Sequence, residues 1–382
     1  MMKQKGLGGE ADQITVKHML KSPYYLIRGI GYYAAGRIYT PKPVHLEFLV
    51  TRKCNSRCIM CSIWETGDSV KELALGEIRE ILSNPLFDSL KWVTLSGGEP
   101  TLRENLAQVA ETILDCQPGI KQMDIDTNGL EPSLVSQRVK QILSLPAYRR
   151  LDSFSVGISL DGYGAIHEKI RRVPRAFARV NETIQVLKEL QISSPFYIYL
   201  NCVVQPLNLG SLPQLSEFAL ELELPIVFNP ILLSDFFVDN DHSKQQLMLS
   251  HDQLEELENF LANPLHNLPP TKIAFWQDYF RIIRGGRRRS PCALLYYAVF
   301  LDADGTLFIC PADKSLIYGN VRDAPADKIW YSTEAEEKRE RAKKCFCPTC
   351  TTACNISWSF SHEFFHYAGF LMKEKGRRLS RK

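Results

Sequence analysis

The feature that most limits how this chain can fold is an alternation that begins at residue 45. Six short runs rich in β-branched and aromatic residues recur: HLEFLVT (45–51), WVTLSG (92–97), QMDIDTN (122–128), SFSVGISLDG (153–162), YIYLNCVV (197–204) and PIVFNPIL (225–232). Between them lie stretches such as LGEIREILSNPL, NLAQVAETILDC, FARVNETIQVLKELQ and LPQLSEFALELEL, whose apolar residues recur at three and four. A strand followed by such a helix returns to a parallel neighbour. Six repeats therefore predict an α/β protein with a partial (β/α)6, TIM-like barrel over residues 45–232, short of the eight units of a closed one. Chemistry in such a sheet gathers where strands end and loops begin. Four of those ends carry polar or glycine-containing segments, TRKCNSRC, SGGEP, DTNG and SLDG, which predicts that they share one mouth.

At residue 233 the pattern gives way to a connector rich in Asp, Asn and Pro, then to helix-like HDQLEELENFLANPL and TKIAFWQDYFRIIRGGRRRS, so 233–290 reads as linker and helices. YYAVFLDADGTLFIC predicts two strands about the turn DADG, a β-hairpin in a small C-terminal cysteine-rich module over 291–356. Residues 1–44 read as an N-terminal helical extension and 357–382 as an amphipathic basic tail.

The chain has 11 cysteines. No run of eighteen apolar residues and no signal pattern at the start is visible, so the expected compartment is the reducing cytoplasm, where clustered cysteines point to metal or redox chemistry rather than disulfides. Cys54, Cys58 and Cys61 fall within CNSRCIMC, on a loop leaving a strand. Three thiolates at spacings of four and three can each take one iron of a cubane and leave the fourth iron open. The plainer readings are a zinc site, for which no His is near, or three thiols sharing one helical face. The second group is Cys292 and Cys310 around Gly305, followed by Cys345, Cys347, Cys350 and Cys354 in CFCPTCTTAC. A zinc knuckle built on Cys347 and Cys350 competes there with an iron-sulfur cluster. Cys116 and Cys202 read as buried small hydrophobes.

CNSRCIMC and SGGEP, placed after the first and second strands, resemble the three-cysteine loop and the glycine-rich motif of the radical S-adenosylmethionine (SAM) superfamily. The resemblance implies a 4Fe-4S cluster on Cys54, Cys58 and Cys61 whose open iron is chelated by SAM. Cleavage of SAM by one electron would give a 5'-deoxyadenosyl radical that abstracts hydrogen from substrate. Met60 takes the place that packs near adenine. Gly97, Gly98 and Glu99 match the motif that receives the methionyl amino group, the glycines letting backbone approach the ligand and Pro100 stiffening the turn. SLDGYGAIHEKIRR resembles a fourth-strand segment, with Ser159 and Asp161 toward ribose or SAM and Arg171 or Arg172 toward its carboxylate. Thr127 and Asn128 resemble the third-strand polar pair, and Asn201 is a further candidate.

Cys292, Cys310 and Gly305 resemble the appended module called SPASM, or its shorter form twitch, in which a hairpin gives two ligands to an auxiliary 4Fe-4S cluster. Cys347 and Cys350 would complete four, with Cys354 an equal rival. The expected partners are a reductant such as flavodoxin or ferredoxin and an unidentified peptide, protein or small-molecule substrate. A lipid or isoprenoid at a membrane surface is one alternative, and a non-catalytic iron-sulfur or zinc-binding partner protein is another.

Charge and composition narrow the partners. With 45% hydrophobic and 23% charged residues the 382-residue chain is an ordinary globular one. Its net charge of +3 includes a surplus of 5 in the final KEKGRRLSRK, leaving the rest near −2 (3 − 5), without the basic footprint that nucleic acid needs. Basic and aromatic residues mix at both ends, in ITVKHMLKSPYYLIRGIGYYAAGRI and SWSFSHEFFHYAGFLMKEKGRRLSRK. That composition suits peripheral contact with a membrane, or packing that covers the barrel's open edge.

Overall fold

The protein's structure, a computed structural model, describes residues 38–352 apart from 264–267, 269, 290, 291 and 293. Most of the N-terminal extension, the basic tail and Cys354 lie outside the described residues.

The six predicted strands form where expected: β1 (His45–Thr51), β2 (Trp92–Gly97), β3 (Gln122–Thr127), β4 (Ser153–Ser159), β5 (Tyr197–Val204) and β6 (Ile226–Pro230). They pair in sequence order, all parallel. The connecting helices are α1 (Leu75–Leu82), α2 (Leu106–Cys116), α3 (Pro132–Leu143), α4 (Ala165–Arg171), α5 (Ala176–Ser193) and α6 (Leu212–Glu221). One face of the sheet is apolar, with Leu46, Phe48, Val50, Val93, Leu95, Met123, Ile125, Val156, Ile158 and Leu200 fully buried in a core shared with Ile78, Ile113, Val139 and Ile184 of the helices. Strand periodicity sends the alternate residues to the other face.

That other face is polar. His45 Nε2 and Thr94 Oγ1 lie 3.0 Å apart, Ser96 donates to Glu47 at 2.9 Å, the Trp92 indole donates to Asp124, and Tyr199 donates to Asp126 at 3.1 Å. At its β6 end, Asn229 donates to Asn201 at 2.8 Å and accepts from Lys272 at 3.0 Å. Lys272 belongs to α8 (Pro270–Ile283), which follows α7 (His251–Leu261), whose start is capped reciprocally by Ser250 and Gln253.

The expected hairpin is β7 (Ala298–Leu301) and β8 (Thr306–Phe308), and β9 (Ile317–Asn320) extends it. Gly305 sits in its turn at φ +91°, where a Cβ would come 2.9 Å from Asn320 Oδ1. The sequence does not show that β7 pairs parallel with β1, in register from His45 opposite Ala298 to Phe48 opposite Leu301. The barrel strands and the hairpin are thus one nine-stranded sheet, and β7 covers the edge of β1 that a six-strand sheet would leave unpaired.

After β9, α9 (Thr333–Arg341) carries Arg339, which is fully buried. Its guanidinium lies 4.4 Å from the Trp330 ring and 4.9 Å from that of Tyr318, and it donates to the carbonyls of Leu295 and Trp330 at 3.1 and 3.0 Å. This fastens the approach to CFCPTC against the segment that follows Cys292.

Candidate cysteine centres

Cys54 to Cys61 is an irregular loop at the carboxyl end of β1, so the three thiols do not share a helical face. Its main chain is tied on two sides. The amides of Arg57 and Ile59 donate to the carbonyls of Arg171 (3.1 Å) and Ile170 (2.9 Å), while Ser62 donates to Val238 (2.7 Å) and Asn240 Nδ2 donates to Met60 (2.8 Å). Donors surround the sulfurs. Cys54 Sγ faces the Ser56 amide at 3.4 Å and Asn128 Nδ2 at 3.7 Å; Cys58 Sγ faces Ser56 Oγ at 3.0 Å and Arg171 Nη1 at 3.6 Å.

Burial, with smaller pushes from Glu99 and Cys58, raises Cys54 to about 11, and burial with Cys58 and Cys54 raises Cys61 to about 12, while Arg171 pulls both down. The three sulfurs are therefore within electrostatic reach of one another, and bound metal would make Cys54 and Cys61 thiolates at neutral pH. Among the described residues no three His, Cys, Asp or Glu side chains gather tightly enough for a single ion. A cubane spreads its irons and asks for wider spacing. Three thiols within electrostatic reach of one another, two of them beside side-chain donors, suit such a polyanionic group.

The glycines at the end of β2 lie against the backbone of the cysteine loop. A Cβ on Gly97, at φ +131°, would lie 2.1 Å from Thr51 O, and one on Gly98 would lie 2.3 Å from Lys53 O. Gly98 and Glu99 instead donate their amides to those same carbonyls, both at 2.8 Å. The close approach is to the stem of the cysteine loop. Glu99 is equally occupied: one oxygen accepts from the Thr101 amide (3.1 Å), Thr101 Oγ1 (2.6 Å) and Thr127 Oγ1 (2.9 Å), and the other from the Asn128 amide (2.7 Å). The carboxylate knits the ends of β2 and β3 together. Pro100 opens the short 3-10 turn that Glu99 caps. Thr127 and Asn128 are buried, and Asn128 also donates to Asn55 at 2.8 Å.

At the end of β4, Asp161 and Arg171 are buried and paired at 2.7 Å, whereas Arg172 is exposed. Asp161 Oδ1 also accepts from the Val203 amide at 2.9 Å. Ser159 is half-buried, in register opposite Asn201. Three polar atoms in this region are buried without a hydrogen-bond partner among the described residues, Arg171 Nε, His167 Nε2 and Gln205 Oε1, while Asp161 Oδ2 meets the Arg171 guanidinium. The Gln205 amide nitrogen is 3.9 Å from the Met60 sulfur. Gln205, Asn240 and Ser56 escaped sequence reading because their role depends on loops 115–180 residues away meeting here; only their positions just past a strand or beside a cysteine signalled them.

The second group is also brought together in part. Burial pushes the Cys292 and Cys347 thiols up, the Cys350 sulfur adds to both and Cys292 adds to Cys347, while Arg288 pulls both down. The Thr352 amide faces Cys350 Sγ at 3.4 Å. Cys310 is buried at the end of the hairpin, and Cys345 is exposed. Between the two groups stands an apolar wall of Leu49, Ile63, Leu294, Ala298, Phe300 and Phe308, against which both Cys61 and Cys292 pack. Of the stray cysteines, Cys202 is buried as expected and Cys116 is only half-buried.

Comparison with known proteins agrees with this geometry. The model of the radical SAM superfamily matches residues 48–219, and that of an iron-sulfur cluster-binding domain, SPASM, matches 292–355. The probable GTP 3',8-cyclase of Sulfurisphaera tokodaii is 25% identical over 221 residues, 56% of this chain and 63% of that protein. The GTP 3',8-cyclase of Stenotrophomonas maltophilia is 26% identical over 228 residues, 59% of this chain and 64% of that protein. The chain spans less than two thirds of the length of these relatives. Two solved structures share the fold. AnSMEcpe with bound AdoMet has a TM-score of 0.56 at 16% identity over 88% of this chain and 96% of that one. Streptococcus suis SuiB bound to its precursor peptide SuiA has 0.57 at 13% over 89% and 77%. With its cysteine loop and glycine motif at the ends of β1 and β2, and the hairpin of its C-terminal cysteine module in the same sheet, the chain carries a radical SAM superfamily domain over residues 48–219 and a SPASM iron-sulfur cluster-binding domain over 292–355.

Proposed function

We propose that this chain cleaves SAM at a 4Fe-4S cluster held by Cys54, Cys58 and Cys61, abstracts hydrogen from a substrate, and holds one auxiliary 4Fe-4S cluster at the Cys292, Cys310, Cys347 and Cys350 end. The observation that carries it is the set of donors, Ser56, Asn128 and Arg171, converging on the sulfurs of a loop that is itself fastened to α4 and to residues 238–240. When bound and reduced, the cluster supplies the electron that breaks a carbon-sulfur bond of SAM to give a 5'-deoxyadenosyl radical. The chain's own residues do the rest. Ser56, Asn128 and Arg171 steady the charge on the sulfurs. Arg171 Nε offers an unused donor to a carboxylate, and Gln205 Oε1 an acceptor to an amino group beside Met60. Backbone carbonyls at the mouth, rather than the fully engaged Glu99, take up an ammonium. The loop through Asn240 covers Met60 and keeps water from the reacting centre.

The relatives' name, GTP 3',8-cyclase, directs attention to a small molecule, but the inner face of this sheet presents Glu47, Asp124 and Asp126, with Lys272 already held by Asn229. These carboxyls, which burial keeps partly or wholly protonated, give a phosphate no cation to meet, so the face favours a substrate without phosphates. The test is anaerobic reconstitution followed by SAM and a strong reductant. Formation of 5'-deoxyadenosine and a change in the cluster's EPR signal on adding SAM are expected, and GTP in the same mixture remains unconsumed. Absence of both the nucleoside and the spectral change would overturn the reading.

A further inference from the structure

Arg288, in the run GGRRRS, plays no part in the SAM site, yet among the described residues it is the cation that acts on both Cys292 and Cys347 of the second cysteine group. Its main-chain amide donates to Pro348 O at 2.8 Å, so the residue lies directly against the Cys347–Cys350 turn. The next amide, of Arg289, donates to both oxygens of buried Asp278 on α8 at 3.2 Å, which fixes the strand-like approach from the other side. The Arg288 Nε is buried and has no hydrogen-bond partner among the described residues. A guanidinium donor left unused in a buried place signals a missing acceptor. Burial works against its charge, but Cys292, Cys350, Asp278 and Cys347, in that order, more than compensate and raise its pKa.

We infer that Arg288 is the buried counter-charge of the auxiliary cluster, its Nε donating to a cluster or cysteine sulfur and its charge favouring the reduced state. This rests on the reading that a 4Fe-4S cluster occupies the Cys292, Cys347 and Cys350 site. A cluster bound by four thiolates is anionic when oxidised and gains a further negative charge on reduction, so a fixed cation beside it raises the potential. Arg288 is thus a positioning and tuning residue, and it makes this centre easier to reduce than its four-thiolate ligation alone would.

The test is an EPR-monitored redox titration of the fully reconstituted chain and of Arg288→Gln and Arg288→Lys, with iron and sulfide analysis of each. Cys347→Ala/Cys350→Ala identifies the auxiliary signal: it loses that signal and about half of the iron, and if it loses neither, the site holds no cluster and the underlying reading falls. With the signal assigned, Arg288→Gln is expected to shift its reduction equilibrium at least tenfold toward the oxidised form, about 59 mV for one electron, with the SAM-cluster signal unmoved. Arg288→Lys keeps the charge and stays near the unsubstituted chain. An unmoved potential in a fully loaded Arg288→Gln overturns the inference. Where Arg288→Gln takes up no second cluster, Arg288→Lys decides: loading with a retained potential supports the counter-charge, and failure to load overturns it in favour of a purely steric role.

Discussion

At the scale of single residues, the glycine motif acts on the cysteine loop through the backbone. Gly97 and Gly98 leave room for the carbonyls of Thr51 and Lys53, and the amides of residues 98 and 99 hold those carbonyls in place. Gly98→Ala would put a methyl group where a main-chain oxygen stands, with no flexible side chain to move aside. The loop stem must shift, and a displacement of about 1 Å at a reacting centre can cost on the order of a hundredfold in rate. The expected result is iron lost from the SAM cluster alone and 5'-deoxyadenosine formation slowed about a hundredfold. Iron analysis with a single-turnover assay checks it, and a variant that loads and turns over normally would refute this account of the motif. The sequence made the glycines visible as a motif. It could not reveal that their neighbour is Lys53, or that both Glu99 oxygens are taken by Thr101, Thr127 and Asn128, because those contacts exist only once β1, β2 and β3 lie side by side.

At the scale of elements, the six strands and their helices were legible because each alternates locally between two simple periods. The pairing of β7 with β1 was not, since it joins residues some 250 positions apart and leaves no local pattern. What secures that seam is equally non-local. Arg52, just past β1, forks onto the buried carboxylate of Asp302 after β7, with Nε at 3.0 and 3.1 Å from its two oxygens, and the Leu73 amide donates to Ala303 O at 2.7 Å. Removing one partner of a buried ion pair leaves the other charge uncompensated, at a cost of about 3 kcal/mol or more. Arg52→Ala should therefore lower unfolding stability by about that amount and speed hydrogen exchange in 298–308 ahead of β3 to β5. Uniform exchange across the sheet would mean that the pair does not hold the hairpin to the barrel. Because Arg52 immediately precedes the cysteine loop, the same variant reports whether the two cysteine centres share one rigid support.

At the scale of the whole molecule, the inner face of the sheet sets how stability responds to pH. Burial, reinforced by neighbouring carboxyls, raises Glu47 to about 8, Asp124 to about 7 and Asp126 to about 6, against 3.8 to 4.5 for ordinary carboxyls. A raised carboxyl binds its proton more tightly folded than unfolded, so its contribution is fully present below the unfolded value and is lost as pH rises through the folded one. His45, stacked on Trp92 at 4.0 Å and lowered by burial to about 3, behaves oppositely, losing its contribution as pH falls below 6.5. Between about pH 4 and 6 the histidine offsets only one of the three carboxyls, so stability already falls there as pH rises. Above that window only the acids act, so stability should fall steadily toward about pH 8. Glu47→Gln keeps the shape and an acceptor for Ser96 but cannot ionise. Its expected signature is a flatter profile: close to the unsubstituted chain at pH 4, below the unfolded carboxyl value, and more stable at pH 8.5 by an amount on the order of 1 kcal/mol or more, read from anaerobic thermal or denaturant unfolding. Parallel profiles for the two chains would mean that Glu47 ionises freely when folded, and the polar interior would then be open to solvent rather than closed beneath the cysteine loop.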